Sequence, residues 1–363
     1  MALFQPGRIG SLDVPNRIVM APLGRARNQV ETRAPQDRAV TYYRQRASAA
    51  LIISEATHVS PASVSRPGTG AIHSEEQVVA WRRVTNAVHQ AGGRIFQQLF
   101  HLGRKADPER LPGGLAPVAP SAVAASGFLP TPDGGQKPFP VPRALELEEI
   151  TGLIEEFRCA AENAQRAGFD GIEVHAANGF LIEQFLRDDA NQRHDAYGGS
   201  VETRARFLLE VVDAAISVFG ASGVGVRLSP HFTVDGPGAS DPHLQFSYIA
   251  WALAKRDIAY LHLIEPDATP ADRKLGAPIR HAFTGPLILA GGFDRDSASR
   301  AIEEGRADFV AFGRLYIANP DLVVRFQIAD SPLNPPDEAR FYVGGDEGYI
   351  DYPTVEAASL AAE

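Results

Sequence analysis

Residues 171–206 read GIEVHAANGFLIEQFLRDDANQRHDAYGGSVETRAR. The run opens on Ile172, Glu173 and Val174, a short β-prone segment that breaks at His175, and the polar trio His175, Asn178 and Gln184 follows within a few residues. Just upstream, Ile150, Leu153, Ile154, Phe157, Ala160, Ala161, Ala164 and Ala167 recur at spacings of three and four, with Gly168 as a C-cap. A helix therefore feeds a strand whose carboxyl end carries polar groups. In a chain of repeated β/α units, that end is where binding and catalytic side chains are usually placed. Alone, a histidine and an asparagine there read equally well as hydrogen-bonded structural residues.

The same alternation extends in both directions. Apolar runs at 17–21, 51–56, 94–99, 223–228, 259–264, 286–290 and 308–312 read as further buried strands, separated by helical periods at 37–49, 75–92, 203–219, 244–255 and 296–304. Eight nearly wholly apolar strands alternating with helices suit an α/β fold of the TIM (β/α)8 barrel type better than an open sheet. The pattern lapses from about 105 to 143 into Pro- and Gly-rich sequence, then resumes in the same style, so this stretch reads as an inserted hairpin or lid after strand three. The expected organisation is one barrel domain over residues 1–363, with an irregular tail from 332 to 363.

Composition narrows the function. A formal charge of −9 argues against nucleic acid or an anionic membrane as principal partner. No run of about eighteen apolar residues occurs, and the first residues lack a signal-peptide core, so a cytoplasmic protein with a small-molecule ligand is expected. One cysteine, Cys159, allows neither an internal disulfide nor a cysteine metal site, and no metal is expected; its place on the predicted helix reads as a core thiol. Strands seven and eight end in Gly291-Gly292 and Gly313-Arg314, a pair of loops that in barrels commonly cradles a phosphate. Arg227, at the end of strand five, must be paired or bound to an anion, because burying it bare is costly.

The string HAANGFLIEQFLRDDANQRHDAYGGSVETRARF, residues 175–207, resembles the strand-four motif of the old yellow enzyme family, and residues 16–23, 312–322 and 348–353 extend the resemblance over essentially the whole chain. It implies a tightly bound FMN, recharged by NADPH or NADH, and reduction of electrophilic alkenes by a ping-pong mechanism. Pro22, Leu23, Gly24, Ala56, Gln98, His175 and Arg227 fall where the family surrounds the flavin ring, and Gly291, Gly292, Gly313 and Arg314 where it holds the phosphate. His175 and Asn178 match the residues that hydrogen-bond the carbonyl or nitro oxygen of the substrate. The family includes monomers and homo-oligomers, and the sequence does not choose between them.

Four positions depart from the family pattern. Phe180 stands in place of a proton-donating tyrosine, and a benzyl ring has no proton to give. Gly24 replaces a threonine or cysteine, Phe100 a tryptophan and Arg66 a pocket tyrosine; Tyr342 remains as a pocket hydroxyl and runner-up acid. These changes leave two rivals open: a flavin-dependent isomerase or desaturase, and a flavin-binding protein with little turnover.

Overall fold

The computed structural model describes residues 1–64, 66–131, 135–266 and 274–355; residues 132–134 of the expected insertion and 356–363 of the expected tail lie outside them. Eight strands form the centre: β1 (Ile18–Met20), β2 (Leu51–Ile53), β3 (Ile95–Phe100), β4 (Gly171–Ala176), β5 (Val224–Leu228), β6 (Tyr260–Ile264), β7 (Leu287–Ala290) and β8 (Phe309–Phe312). Each pairs in parallel with the next, and β8 pairs with β1, so the sheet closes into the expected barrel. The outer helices are α1 (Asp37–Arg44), α2 (Glu75–Gln90), α3 (Leu147–Arg166), α4 (Val201–Phe219), α5 (Pro242–Ala254), α6 (Gly276–Ala282), α7 (Arg295–Glu303) and α8 (Leu322–Gln327).

Strand alternation divides the core in two. Ile18, Met20, Ile52, Val174, Val226, Leu261, Leu289 and Val310 face outward onto the helices, in one cluster with Trp81, Phe157 and Phe207. Val19, Leu51, Ile53, Phe96, Tyr260, Ile288, Phe309 and Ala311 fill the barrel together with Ile9 and Val14. These last two belong to an antiparallel hairpin, Gly7–Ile9 with Leu12–Val14, which plugs the amino-terminal mouth. The carboxyl mouth is left open for a site.

Several sequence boundaries move. His175 does not break β4 but belongs to its last turnless residues, paired in register with Arg227 on β5. Helix α1 ends at Arg44 rather than near Ala49, and the chain continues as turns. Cys159 is exposed, not a core thiol, because the buried stripe of α3 runs through Ile150, Leu153, Phe157, Ala160, Ala161 and Ala164 and position 159 faces away from it. The insertion contains the expected hairpin, Phe128–Pro130 paired antiparallel with Gln136–Pro138. Its base is tied where Val118–Ala119 pairs with Arg143–Ala144, and Lys137 pins the hairpin to Asp107 at 2.9 Å and Glu109 at 2.8 Å.

The barrel interior leaves little slack. An added Cβ at Gly225 would lie 2.2 Å from the Tyr260 ring, which itself packs 5.8 Å from Phe96. Gly225→Ala should therefore destabilise the fold by about 1–3 kcal/mol through overpacking, read as a lower denaturant midpoint with an unchanged slope; an unchanged midpoint would show that the ring moves freely.

Candidate functional site

The site is built on a buried carboxylate. Glu173, fully inside the barrel, accepts a hydrogen bond from Gln98 Nε2 at 2.6 Å, from the Tyr260 hydroxyl at 3.1 Å and from His262 Nδ1 at 2.9 Å. Gly225 lies between β4 and β6 in register with Glu173 and Tyr260, and its missing side chain lets the carboxylate reach two strands across. Burial pushes the Glu173 pKa up, but His262, Arg227 and Gln98 outweigh it and hold the carboxyl below its ordinary range. Burial in turn lowers His262. The pair is thus a neutral imidazole donating to a carboxylate.

Two residues further along the strands stand His175 and Arg227. Arg227 meets no carboxylate within ion-pair distance among the described residues, and its buried Nε has no hydrogen-bond partner. Here is an unpaired cation at the floor of an open barrel mouth. His175 is buried, its Nδ1 is also without a partner, and burial, then Arg227, His262 and Lys105, push its pKa well below 6.5. It is a neutral ring with one N–H to donate.

Asn178 is held in the left-handed region at φ +59 by the loop around it. Its backbone N–H donates to Ser229 Oγ at 2.8 Å, Ser229 donates to Glu183 Oε1 at 2.7 Å, and the Gly179 N–H bonds the other Glu183 oxygen. Burial pushes Glu183 up to about 7. Gln184 reaches back to Gly179 O at 2.8 Å and Leu102 O at 3.0 Å, so this member of the polar trio is a clamp and does not reach the cavity wall.

Above these residues lies a cavity of about 560 Å³. Its walls bring together Pro22, Gly24, Ala56, Gln98, His175 and Arg227 with Arg66, Phe100, Asn178, Phe180 and Tyr342, residues drawn from the carboxyl ends of β1 to β5 and from the tail. Phe180 packs edge-on to His175 at 5.0 Å and to Phe100 at 5.1 Å between ring centroids. Tyr342, 53% exposed, stands at the mouth beneath the Arg66 guanidinium. Nothing lies within 4 Å of a Cβ built on Gly24, so the wall opens there into free space.

Leu23, Gly291, Gly292, Gly313 and Arg314 are not on the cavity wall; they follow the carboxyl ends of β1, β7 and β8. A Cβ on Gly313 would sit 3.4 Å from the Leu23 side chain, and one on Gly291 would meet Pro266 at 2.6 Å. The Arg314 side chain is 78% exposed and lies 4.0 Å from Glu338.

Several wall residues had no functional reading in the sequence. Lys105 Nζ bonds Asp235 at 2.9 Å and the Asn178 carbonyl at 3.2 Å, and lies 5.1 Å from the Phe180 ring centre. Asp235 lies 130 residues away, and nothing in either neighbourhood signals the pair. Glu55, whose pKa burial raises to about 7, bonds Asn28 at 3.1 Å. A carboxylate just past the end of an apolar strand is the signal that could have found it. His58 stacks on Phe100 at 4.4 Å.

Comparison with known proteins places this geometry. The NADH:flavin oxidoreductase / NADH oxidase family matches residues 2–330. The 12-oxophytodienoate reductase 1 of Oryza sativa subsp. japonica is 41% identical over 98% of this chain and 93% of its own length. A probable flavin mononucleotide-dependent alkene reductase of Leishmania infantum is 42% identical over 97% of each chain. Morphinone reductase in complex with tetrahydroNAD superposes with a TM-score of 0.93 at 46% identity, covering 98% of both chains. The old yellow enzyme homologue of Zymomonas mobilis gives 0.92 at 43% identity, covering 97% of this chain and 99% of the other. With its closed barrel and these relatives, the chain belongs to the old yellow enzyme family of NADH:flavin oxidoreductases and is a flavin-dependent oxidoreductase.

Proposed function

We propose that this enzyme reduces activated C=C bonds, those of α,β-unsaturated carbonyl or nitro compounds, with NADH or NADPH and a bound FMN. The observation that carries the reading is one cavity in which His175 and Asn178 stand beside the unpaired Arg227. The residues present fit FMN: Arg227 offers a half-buried cation with no ion-pair partner among the described residues, Gln98 a polar group fixed by Glu173, and Gly24 open space. Pro22, Leu23, Ala56 and His175 would border the ring, and Gly291, Gly292, Gly313 and Arg314 would hold the phosphate. The chemistry FMN supplies when bound is two-electron hydride transfer, from NAD(P)H to the β-carbon of the alkene, in two half-reactions at one site.

His175 and Asn178 would donate hydrogen bonds to the substrate oxygen, where negative charge grows as hydride adds. Such donors accelerate only because they are fixed beforehand. Asn178 is fixed by its left-handed backbone and by the Ser229–Glu183 chain, and His175 by its strand and the Phe180 ring. A neutral imidazole suits the task, since its N–H is present throughout the physiological range. Replacing either donor by alanine should lower alkene reduction roughly 100-fold, as loss of one oxyanion donor does, while the protein stays yellow.

The test of the reading is direct: purified protein carries FMN, NAD(P)H bleaches it, and an enone restores the colour. Protein that binds FMN and is not bleached would favour the flavin-binding rival. Turnover of an alkene without net consumption of NAD(P)H would favour the isomerase. At position 180 the family's tyrosine is absent, so Phe180→Tyr should raise enone reduction by about tenfold if proton delivery limits it, at the low end of what general acids contribute; an unchanged rate would assign delivery to water or Tyr342.

The buried imidazoles also set an acid limit. His58, His101 and His175 are all depressed below 6.5, chiefly by burial, His101 to about 4. They are neutral in the fold and take up protons on unfolding once the pH drops below the unfolded value. Their stabilisation is complete above about pH 6.5 and drains as the pH falls through the depressed values, by about 1.4 kcal/mol per pH unit for each imidazole. Glu55 and Glu183, raised to about 7, act in the opposite sense below pH 7, so denaturation midpoints should fall below pH 6.5 only as far as the imidazoles outweigh these two carboxyls; midpoints that rise steadily towards pH 5 would show that the rings are not buried neutral.

A further inference from the structure

Outside the mouth of the cavity lies a second concavity of about 650 Å³, and the two share Arg66, Pro130 and Tyr342 in their walls. A single long ligand can therefore run from one to the other past the Arg66–Tyr342 stack, in which the guanidinium lies 5.2 Å from the ring centre. Among the described residues, Arg27, Arg38, Arg66 and Arg110 line the outer groove and no Asp or Glu does. Among the described residues, two of these four cations form an ion pair: Arg38 with Asp346 at 3.2 Å and Arg110 with Asp107 at 3.4 Å. Asp107 is also shared with Lys137 at 2.9 Å.

Arg27 donates to the carbonyls of Arg25, Arg340, Val343, Gly345 and Glu347. Those bonds satisfy its N–H groups and leave its charge in place. Arg66 has no carboxylate within ion-pair distance among the described residues, and its stacked face leaves the N–H edge free. A planar fork of that kind suits phosphate oxygens. Resting on the reductase reading above, we propose that this outer groove binds the phosphates of the nicotinamide dinucleotide, with Arg66 and Arg110 as their ligands, while the nicotinamide enters the inner cavity. A reductant whose ring lies beside His175 must leave through the mouth, and its pyrophosphate then passes the arginines. The further phosphate of NADPH adds charge to the same field, so NADPH binds more tightly than NADH at low ionic strength, and the difference shrinks as salt rises.

The experiment titrates the FMN-loaded protein calorimetrically with the tetrahydro forms of NADPH and NADH, which cannot give hydride, at low and high ionic strength. Arg66→Ala and Arg110→Ala should each weaken tetrahydroNADPH binding about tenfold, as expected for loss of a charge-assisted hydrogen bond. Arg66→Lys should recover part of the loss. Arg256→Gln removes the same charge at the opposite end of the barrel, where the guanidinium pairs with Asp213, and should leave the affinity unchanged. Inorganic pyrophosphate should compete with tetrahydroNADPH in the unsubstituted protein and lose that competition in the Arg66→Ala, Arg110→Ala double variant. Unchanged affinity in the double variant, or pyrophosphate that competes equally well there, would overturn the proposal. Failure to hold FMN at all is read separately, from colour, and defeats the parent reading instead.

Discussion

The Glu173 carboxylate is the constraint on which the site depends. Isolated in a barrel interior, an ionised carboxylate costs several kcal/mol, and here three donors from β3 and β6 offset that cost. Each of those donors is fixed in return. Gln98 spends its amide N–H on Glu173, which settles its orientation toward the cavity, and His262 is held as a neutral ring whose Nε2 has no partner. Arg227 feels the carboxylate as an attractive charge without reaching it. It stays charged and unpaired at the floor of the cavity.

Above this layer, a second polar arrangement holds the loop that carries Asn178 to the cavity wall. Ser229 follows β5 and Glu183 lies on the short helix after β4, so the Asn178 backbone is fastened to two different barrel units. Lys105 adds a third fastening from the start of the insertion by bonding the Asn178 carbonyl. Three elements of distant sequence therefore agree on one strained residue. Preorganisation of that kind is what a hydrogen-bond donor needs if it is to act on developing charge.

The barrel was legible because parallel strands buried on both faces are nearly continuous apolar runs, and eight of them alternate with helical periods. That His175, Asn178 and Arg227 gather at one cavity was legible because strand carboxyl ends concentrate polar residues at one mouth of the barrel. The polar layer was not, since Gln98, Glu173, Tyr260 and His262 come from three strands and each looks like an interruption of an apolar run. Lys105–Asp235 was hidden for the same reason of distance. Cys159 was misread because apolar neighbours on a helix say nothing about the azimuth of one residue, and two positions from Phe157 it points outward.

The absence of a hydroxyl at position 180 acquires a physical context in this framework. The Phe180 ring presents its edge geometry to His175 and Phe100, and Lys105 lies 5.1 Å from its centre. Phe232 lies 5.4 Å from the same ammonium, and Asp235 bonds it. Cation–π attraction of this type contributes about 0.5–2 kcal/mol, and it operates on a ring face whether or not a hydroxyl is present. The benzyl ring therefore carries the packing duties of the position, orienting His175 and confining Lys105, without a hydroxyl. What position 180 lacks is a hydroxyl, while the packing that fixes His175 beside it on the cavity wall is in place.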